Sequence, residues 1–462
     1  MATIKKRGNS YLIRCYDGYD QNGKQIERTM TWKIPAGMSE KKAEKEARHE
    51  AALFEERVRT GQIAEQKSMK FVTYAEKWFS DYAATQLRPR TIDGYKRIMQ
   101  RVYPSIGHLY IDKIRPAHLV RFYRELSETK KAATYRCTVD LKKTLKDSGR
   151  SMTAFSKESG TPLAAVKSAA NGKNINHQNA TLISQGLKMH LGELFTEANQ
   201  EDTLSANTVG KYHRVLSSMF QTAVEWGMIV SNPCDRVSPP KVKKVDAPFL
   251  TAEESLHLLS LLENEPQQYR NAITLLLFTG MRRGELLGLE WTDFDKKNGL
   301  LNITKTLQYL PDRGLFEDDT KNESSHRVIK LAKSAVNALN AQHRWQLEQR
   351  LKVGSYWKQS DKIFTGPFGD PIHPDTLSGW FRDFVARSDL PSIHLHSLRH
   401  TNATLQIANG SAVTTVAGYL GHANASTTTK VYAHAIQAAQ AAQAELLEDI
   451  LNPIKPKMIR KA

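Results

Sequence analysis

Cysteine is scarce in this chain. There are 3 in 462 residues, Cys15, Cys137 and Cys234, and they lie far apart in sequence. That spacing indicates neither a disulfide framework nor a structural zinc site, and a reducing, cytoplasmic setting is expected. Long apolar runs are also missing: the longest, residues 272–278, falls far short of the roughly 20 residues a membrane-spanning helix needs. The start of the chain offers no apolar signal region, so no membrane partner is expected. Acidic residues are in deficit, with Asp+Glu 48 against Lys+Arg 66 and a net charge of +18 with His neutral. An excess of this size favours a polyanionic partner, while saying nothing of chemistry. At 40% hydrophobic and 25% charged residues, the composition excludes wholesale disorder and fibrous repeats. At roughly 100 to 200 residues per domain, the length implies about three domains.

Residues 11–16 and 26–32 are β-rich runs separated by a stretch containing Asn22-Gly23, a hairpin signal. A helical pattern follows over 39–59, with Ala43, Ala47, Ala51 and Phe54 at helical spacing. Lys5, Lys6, Arg7, Arg14, Lys24, Arg28 and Lys33 crowd this region, as a solvated face would allow and a sheet laid in a DNA groove would require. The spacing from Gly18 to Gly23-Lys24 imitates a phosphate-binding loop, but Gln25 replaces the Ser/Thr that would hold magnesium, and no strand-to-helix context follows. After a polar linker at 61–68, helical patterns occupy 73–85, 90–103, 116–126 and 206–226, and the basic, proline-containing stretch 232–244 reads as an interdomain linker.

Between these helices lies a block, 141–195, with five helical segments. Phe155-Ser156, Gly160 and Val166 stand at helix-turn-helix spacing, with 162–170 as the recognition helix and Gly172 closing it. This block resembles the small five-helix repressor-type DNA-binding domain, although Ser156 and Thr161 depart from that family's usual alanine and apolar residue. A plain helical insertion without a DNA role is the alternative.

The residues able to carry chemistry gather later. Thr251 and Glu254 form a capping-box pattern. The apolar helix over 272–278 leads to Gly280-Met281-Arg282, with Glu285 one helical turn on, where it can orient the guanidinium. Alone, that is as well explained by a structural ion pair. Further on, His396 and Arg399 stand at i,i+3, on one face of a helix, and Leu420-Gly421-His422 precedes Tyr432 by ten residues. A zinc reading of His394, His396 and His400 would leave the two arginine boxes unexplained.

Together these motifs resemble the tyrosine recombinase (phage integrase) family. Thr279 to Glu285 looks like the segment with the family's first arginine, His396-x-x-Arg399 like its second box, and Leu420-Gly-His422 with Tyr432 like its third box and nucleophile. The family lysine, carried on a β hairpin, maps to Lys321, followed by Ser325-x-Arg327-Val328-Ile329. The resemblance implies a mainly α fold with small β sheets (α+β): an N-terminal three-stranded sheet plus helix, a helical core-binding domain, and a mixed but mostly helical catalytic domain. The implied boundaries are 1–62 for an arm-type DNA-binding domain, 70–135 and 201–240 for a split helical core-binding domain, and 137–200 for the inserted helix-turn-helix-like domain. A catalytic domain at 245–450 includes a C-terminal helix, and 451–462 is a basic tail.

The implied activity is site-specific DNA breakage and rejoining through a 3′-phosphotyrosyl intermediate in a bacterial cell or nucleoid, integrating or excising a phage or other mobile element. Its partners would be double-stranded DNA with core-type and arm-type sites, three further copies in a homotetramer, and DNA-bending or directionality factors. Arg282 and Arg399 would grip the phosphate oxygens, His396 and His422 would add hydrogen bonds, His396 would accept the Tyr432 proton, and Lys321 would protonate the leaving 5′ oxygen. Arg88 and Arg90 join the basic residues above as DNA contacts. Religation needs neither cofactor nor metal, because the phosphotyrosyl bond retains the phosphodiester energy. Two rivals share parts of this pattern: a type IB topoisomerase, and a DNA-binding regulator with vestigial boxes.

Overall fold

The computed structural model describes residues 2–19, 23–59, 69–130, 133–198, 203–242, 247–319 and 326–421, with Thr428, Thr429, Tyr432, Ile436, Glu448 and Leu451. Lys321, His422, the 61–68 linker and most of the C-terminal helix and tail lie outside the described residues. The chain divides into two units, Met1–Lys243 and Lys244–Ala462. It is mostly helical with small sheets. No helix among the described residues is long and apolar enough to cross a membrane.

In the first unit, β1 (Thr3–Arg7), β2 (Ser10–Tyr19) and β3 (Gln25–Lys33) form an antiparallel sheet in sequence order, followed by α1 (Glu40–Arg59). Side chains alternate across a strand. Tyr11, Ile13 and Cys15 therefore face one way, and they are buried with Ala43, Ala47, Ala51, Phe54 and Val58 of α1. The register pairs Lys5 with Leu12, Arg7 with Ser10, Ser10 with Lys33, and Arg14 with Thr29. The face away from α1 thus carries Lys5, Arg7, Arg14 and Lys33. Lys6 and Arg28 fall on the helix side, paired with Glu40 and Asp17 respectively.

A second core unites α2 (Phe71–Trp78), a π-helical turn at Phe79–Ala83, α3 (Ala84–Gln86), α4 (Pro89–Val102) and α5 (Pro116–Glu128). Arg88 is the residue preceding α4, and Arg90 is exposed in its first turn. The inserted block follows as β4 (Thr134–Cys137), α6 (Leu141–Asp147), α7 (Met152–Ser159), α8 (Leu163–Ala170), β5 (Ile175–Asn176), α9 (His177–Leu187), α10 (Leu191–Leu194) and β6 (Phe195–Glu197). Its five helices match the sequence pattern, but its three-stranded sheet, ordered β5-β4-β6, does not appear in that pattern. It has its own core, including Leu141, Leu145, Phe155, Val166, Ile183 and Leu194. The two residues that depart from the repressor pattern bond to each other: Ser156 Oγ donates to the Thr161 carbonyl at 2.7 Å, and Ser159 Oγ donates to the buried Thr161 hydroxyl at 2.9 Å. Polar atoms there are satisfied internally instead of being replaced by carbon.

The chain then returns to the second core through α11 (Ala206–Glu225), whose Val209, Leu216, Met219 and Phe220 are buried. The stretch read as a linker begins later than expected. Cys234 and Val237 are buried in this core, and Asn232 Nδ2 donates to the Ser217 carbonyl at 3.1 Å. Proline and polar residues signalled a loop, but a short 3-10 turn at Pro233–Arg236 lets the apolar residues among them pack.

The second unit starts with α12 (Ala252–Leu262), closed by the Thr251–Glu254 capping box. Next come α13 (Gln267–Thr279), α14 (Arg283–Gly288), β7 (Phe294–Asp295), β8 (Leu300–Ile303), β9 (Lys305–Leu310), β10 (Gly314–Asp319) and β11 (Arg327–Lys330). The remaining helices are α15 (Lys333–Val353), α16 (Pro374–Ala386), α17 (Ser397–Ala408) and α18 (Val413–Leu420). Helix α13 is apolar on nearly all sides because it is the centre of this core, with Ala272, Ile273, Leu275, Leu276 and Leu277 buried. Strands β10 and β11, which flank Lys321 in sequence, do not pair with each other. β10 pairs with β9 and β11 with β8, so the hairpin expected around that lysine is replaced by strands in two sheets.

Candidate active site

The first arginine is placed by a break in the backbone. Gly280 ends α13 with φ 61°, a left-handed conformation open to glycine. A Cβ on it would lie 2.5 Å from Leu420 Cδ2 and 2.8 Å from Asn402 Oδ1, so the turn also lets α17 and α18 approach. Two residues on, Arg282 precedes α14. Glu285 Oε2 accepts the Arg282 main-chain N–H at 2.9 Å, while Oε1 takes the guanidinium Nη1 at 2.6 Å. One carboxylate both caps the helix and aims the arginine. Glu285 is 1% exposed and the Arg282 side chain 39%, so the ion pair is anchored inside with its cation at the surface. Burial alone would raise the Glu285 carboxyl, but the Arg327 and Arg282 charges and their hydrogen bonds outweigh it and hold the group below its ordinary value.

Arg399 lies in the first turn of α17 and is 2% exposed. Its Nη1 donates to the Gly280 carbonyl at 2.9 Å and its Nη2 to the Leu420 carbonyl at 2.8 Å. The fork is therefore oriented by backbone before any ligand arrives. Thr401 of the same helix accepts the Leu250 N–H at 2.9 Å, and Asn402 Nδ2 donates to the Leu277 carbonyl at 2.9 Å. These bonds fix α17 against α13 and the segment preceding α12.

His396 is the residue just before α17 and not part of its face, as its i,i+3 spacing with Arg399 had implied. The surrounding protein, then the His400, Arg399 and Arg282 charges, push its imidazole down to about 4. The residue is open to solvent on one side, where water screens part of that effect; the direction leaves the ring neutral at pH 7. Its ring meets His400 edge to face, centroids 4.9 Å apart. His400 is itself lowered by burial and by Arg399.

Tyr432 is 1% exposed, and its hydroxyl lies 3.0 Å from His400 Nδ1. Its main-chain N–H donates to the Thr428 carbonyl at 2.9 Å. Burial pushes the phenol up to about 12 against the lowering influence of Arg399. With the phenol protonated and the ring neutral, the phenol can donate to that nitrogen. The structure thus brings Arg282, Glu285, His396, Arg399 and Tyr432 into one connected cluster, and the imidazole against the phenol belongs to His400. A pocket of about 540 Å³ opens beside Arg282 and His396, with Arg283, Arg382 and His394 on its wall.

Comparison with known proteins bears on the same segments. The Phage integrase family matches residues 248–438, and the phage integrase N-terminal SAM-like domain matches 70–127. The ICEBs1 integrase of Bacillus subtilis (strain 168) is 30% identical over 259 residues, 56% of this chain and 69% of that protein. The chain belongs to the phage integrase family. A tyrosine recombinase XerC-like protein of Caldanaerobacter subterraneus subsp. tengcongensis is 30% identical over 268 residues, 53% of this chain and 67% of that one. The Tn1549 transposon integrase, solved in complex with transposon right end DNA, shares the fold at a TM-score of 0.55 and 20% identity, covering 82% of this chain and 99% of that chain. Neither family match includes the inserted block.

For a member of the phage integrase family, two site residues carried weak sequence signals. His400 stands in the continuation of the second box, His400-Thr401, and its i,i+4 spacing from His396 was the available hint. Arg327 stood out only as a neighbour of the lysine motif, yet its guanidinium is buried against Glu285, with Nη2 donating to Oε2 at 2.8 Å.

Proposed function

We propose that this protein is a site-specific DNA recombinase that cuts one strand with Tyr432, holds it as a 3′-phosphotyrosyl ester, and rejoins it to a different 5′ hydroxyl. One observation carries the reading: a protected phenol lies on a neutral imidazole within the charge field of Arg399, while the neighbouring Arg282 is aimed by a buried carboxylate. A phosphoryl group in transfer spreads negative charge over its nonbridging oxygens, and preoriented guanidinium forks stabilise that charge. The phenol oxygen forms the new P–O bond as the P–O5′ bond breaks. The phenol proton passes to an imidazole, for which His400 has the closer geometry and His396 is the second ring, and the 5′ oxygen takes up a proton from Lys321. His422 adds a hydrogen bond to the phosphate. The last two roles rest on the family pattern.

The partner is double-stranded DNA. Lys5, Arg7, Arg14 and Lys33, on the open face of β1 to β3, are suited to accessory arm-type sites, whereas Lys6 and Arg28, on the helix side and paired with acids, are poorly placed for that contact. The split helical domain, with Arg88 and Arg90, and the catalytic domain hold the core site. The inserted block is a further DNA-binding module whose helix α8 exposes Ala164, Lys167 and, just past its end, Asn171. Relatives named as integrases of mobile elements support integration or excision of such an element; the tetramer is the assembly the family resemblance implies. The reading is tested with a nicked duplex taken from the junctions of the element that encodes the protein. The wild type should accumulate a covalent protein–DNA complex and Tyr432→Phe none. Trapping by the Phe variant, or relaxation of supercoiled DNA lacking the site, would overturn it.

A further inference from the structure

Helix α18 ends at Leu420, the first residue of the third box, and a helix end leaves its last carbonyls without intrahelical partners. Three successive carbonyls there are taken by three different arginines. Arg327 Nε donates to Tyr419 O at 2.8 Å, Arg399 Nη2 to Leu420 O at 2.8 Å, and Arg282 Nη2 to Gly421 O at a longer 3.4 Å. Cations also suit the negative end of a helix dipole. Two of the three arginines are assigned to the phosphate; Arg327 has no such role.

Arg327 starts β11, and its side chain is 7% exposed, against 39% for Arg282. It is therefore poorly placed to take a phosphate itself. Its second bond, from Nη2, goes to Glu285 Oε2, the oxygen that also receives the Arg282 main-chain N–H. Glu285 thus lies between two guanidinium groups, one reaching the surface and one enclosed. Gly421 is packed against the enclosed one: a Cβ there would come within 2.9 Å of Arg327 Nη1. A single planar fork joins the carboxylate that aims the first arginine to the end of the helix that leads into the third box.

We infer that Arg327 is a positioning residue for the phosphate clamp, setting the direction of Arg282 through Glu285 and the seat of the third box through the Tyr419 carbonyl. The inference rests on the recombinase reading above. Lysine keeps the charge, but one ammonium cannot reproduce the planar, two-directional fork. Small misplacements of groups around a reacting centre cost up to about 100-fold in rate.

The test compares wild type, Arg327→Lys, Arg282→Ala and the double variant on the nicked junction duplex. Each is also run on the same duplex with a methylphosphonate at the scissile position, which removes the phosphate's negative charge. Arg327→Lys should trap covalent complex about 10- to 100-fold more slowly, with duplex affinity and melting temperature close to wild type. Its defect should shrink on the methylphosphonate together with that of Arg282→Ala, and the double variant should be no slower than Arg282→Ala alone. Wild-type trapping rates in Arg327→Lys would overturn the inference. So would a defect that is the same on both substrates and additive with Arg282→Ala, or a loss of duplex affinity, since each marks a merely structural role. If the wild type itself traps no complex, the recombinase reading falls and this inference with it; if only the Arg327→Lys result fails, that reading stands.

Discussion

His400 and Tyr432 illustrate how a side chain's chemistry depends on its surroundings. A phenol pushed up to about 12 is a poor nucleophile by itself, and an imidazole lowered below its ordinary value is an acceptor that remains available in mild acid. The acid limb of covalent trapping should accordingly lie below pH 6.5, because a lowered pKa keeps the neutral ring populated to lower pH. Single-turnover trapping between pH 5 and 9 checks this, and a limb centred above 6.5 would contradict it. The same sign governs stability. His396 has a folded pKa of about 4 against an ordinary 6.5, so unfolding takes up a proton below 6.5, and its contribution is lost as pH falls from there toward 4. Arg282, His396, Arg399 and Tyr432 could be singled out as candidates from the sequence, because each stands in a short motif. His400 and Arg327 carried only weak signals, since the partners that place them in the site stand 32 and 92 positions away.

Among the elements, the junction of α13 with α17 and α18 is the most constrained part of the site. Gly280→Ala would place a methyl group against Leu420 and Asn402 while forcing a positive φ on an L side chain. The expected cost is about 1 to 3 kcal/mol in stability, from overpacking and backbone strain together. Thermal unfolding should report it as a lowered melting temperature, and covalent trapping should slow as well, because the Gly280 carbonyl orients Arg399. A variant with wild-type stability and trapping would show that this turn can relax. Helices such as α1 and α13 were legible because their apolar residues recur with a clear period or fill a continuous run. The sheet β5-β4-β6 was hidden because its strands are 2, 4 and 3 residues long, too short for an alternating pattern to separate from loop. The stretch at 232–237 was misread for a related reason: composition marks where a chain turns, but not whether the turn is packed.

For the molecule as a whole, the inserted block is separable by construction. Its first and last strands, β4 and β6, are antiparallel neighbours, the Ala198 N–H donates to the Thr134 carbonyl at 2.8 Å, and Lys130 forms an isolated bridge with Thr203. A loop of about two to five residues can join the chain ends next to that bridge. Replacing 133–198 with such a loop should leave the helical core folded and Tyr432 able to trap DNA, while weakening junction binding and shortening the footprint. Circular dichroism melting and nuclease protection check the two halves of that expectation, and an unchanged footprint would deny the block a DNA role. Local sequence determined the main helical segments and the basic excess, and it singled out the candidate site residues, since each is encoded in composition or in spacings of a few residues. Tertiary structure alone decided that His400 is the ring on the phenol, that Glu285 is shared by Arg282 and Arg327, and that three arginines converge on the end of α18. Those pairings join segments distant in sequence, and hydrophobic periodicity carries no information about which distant groups meet.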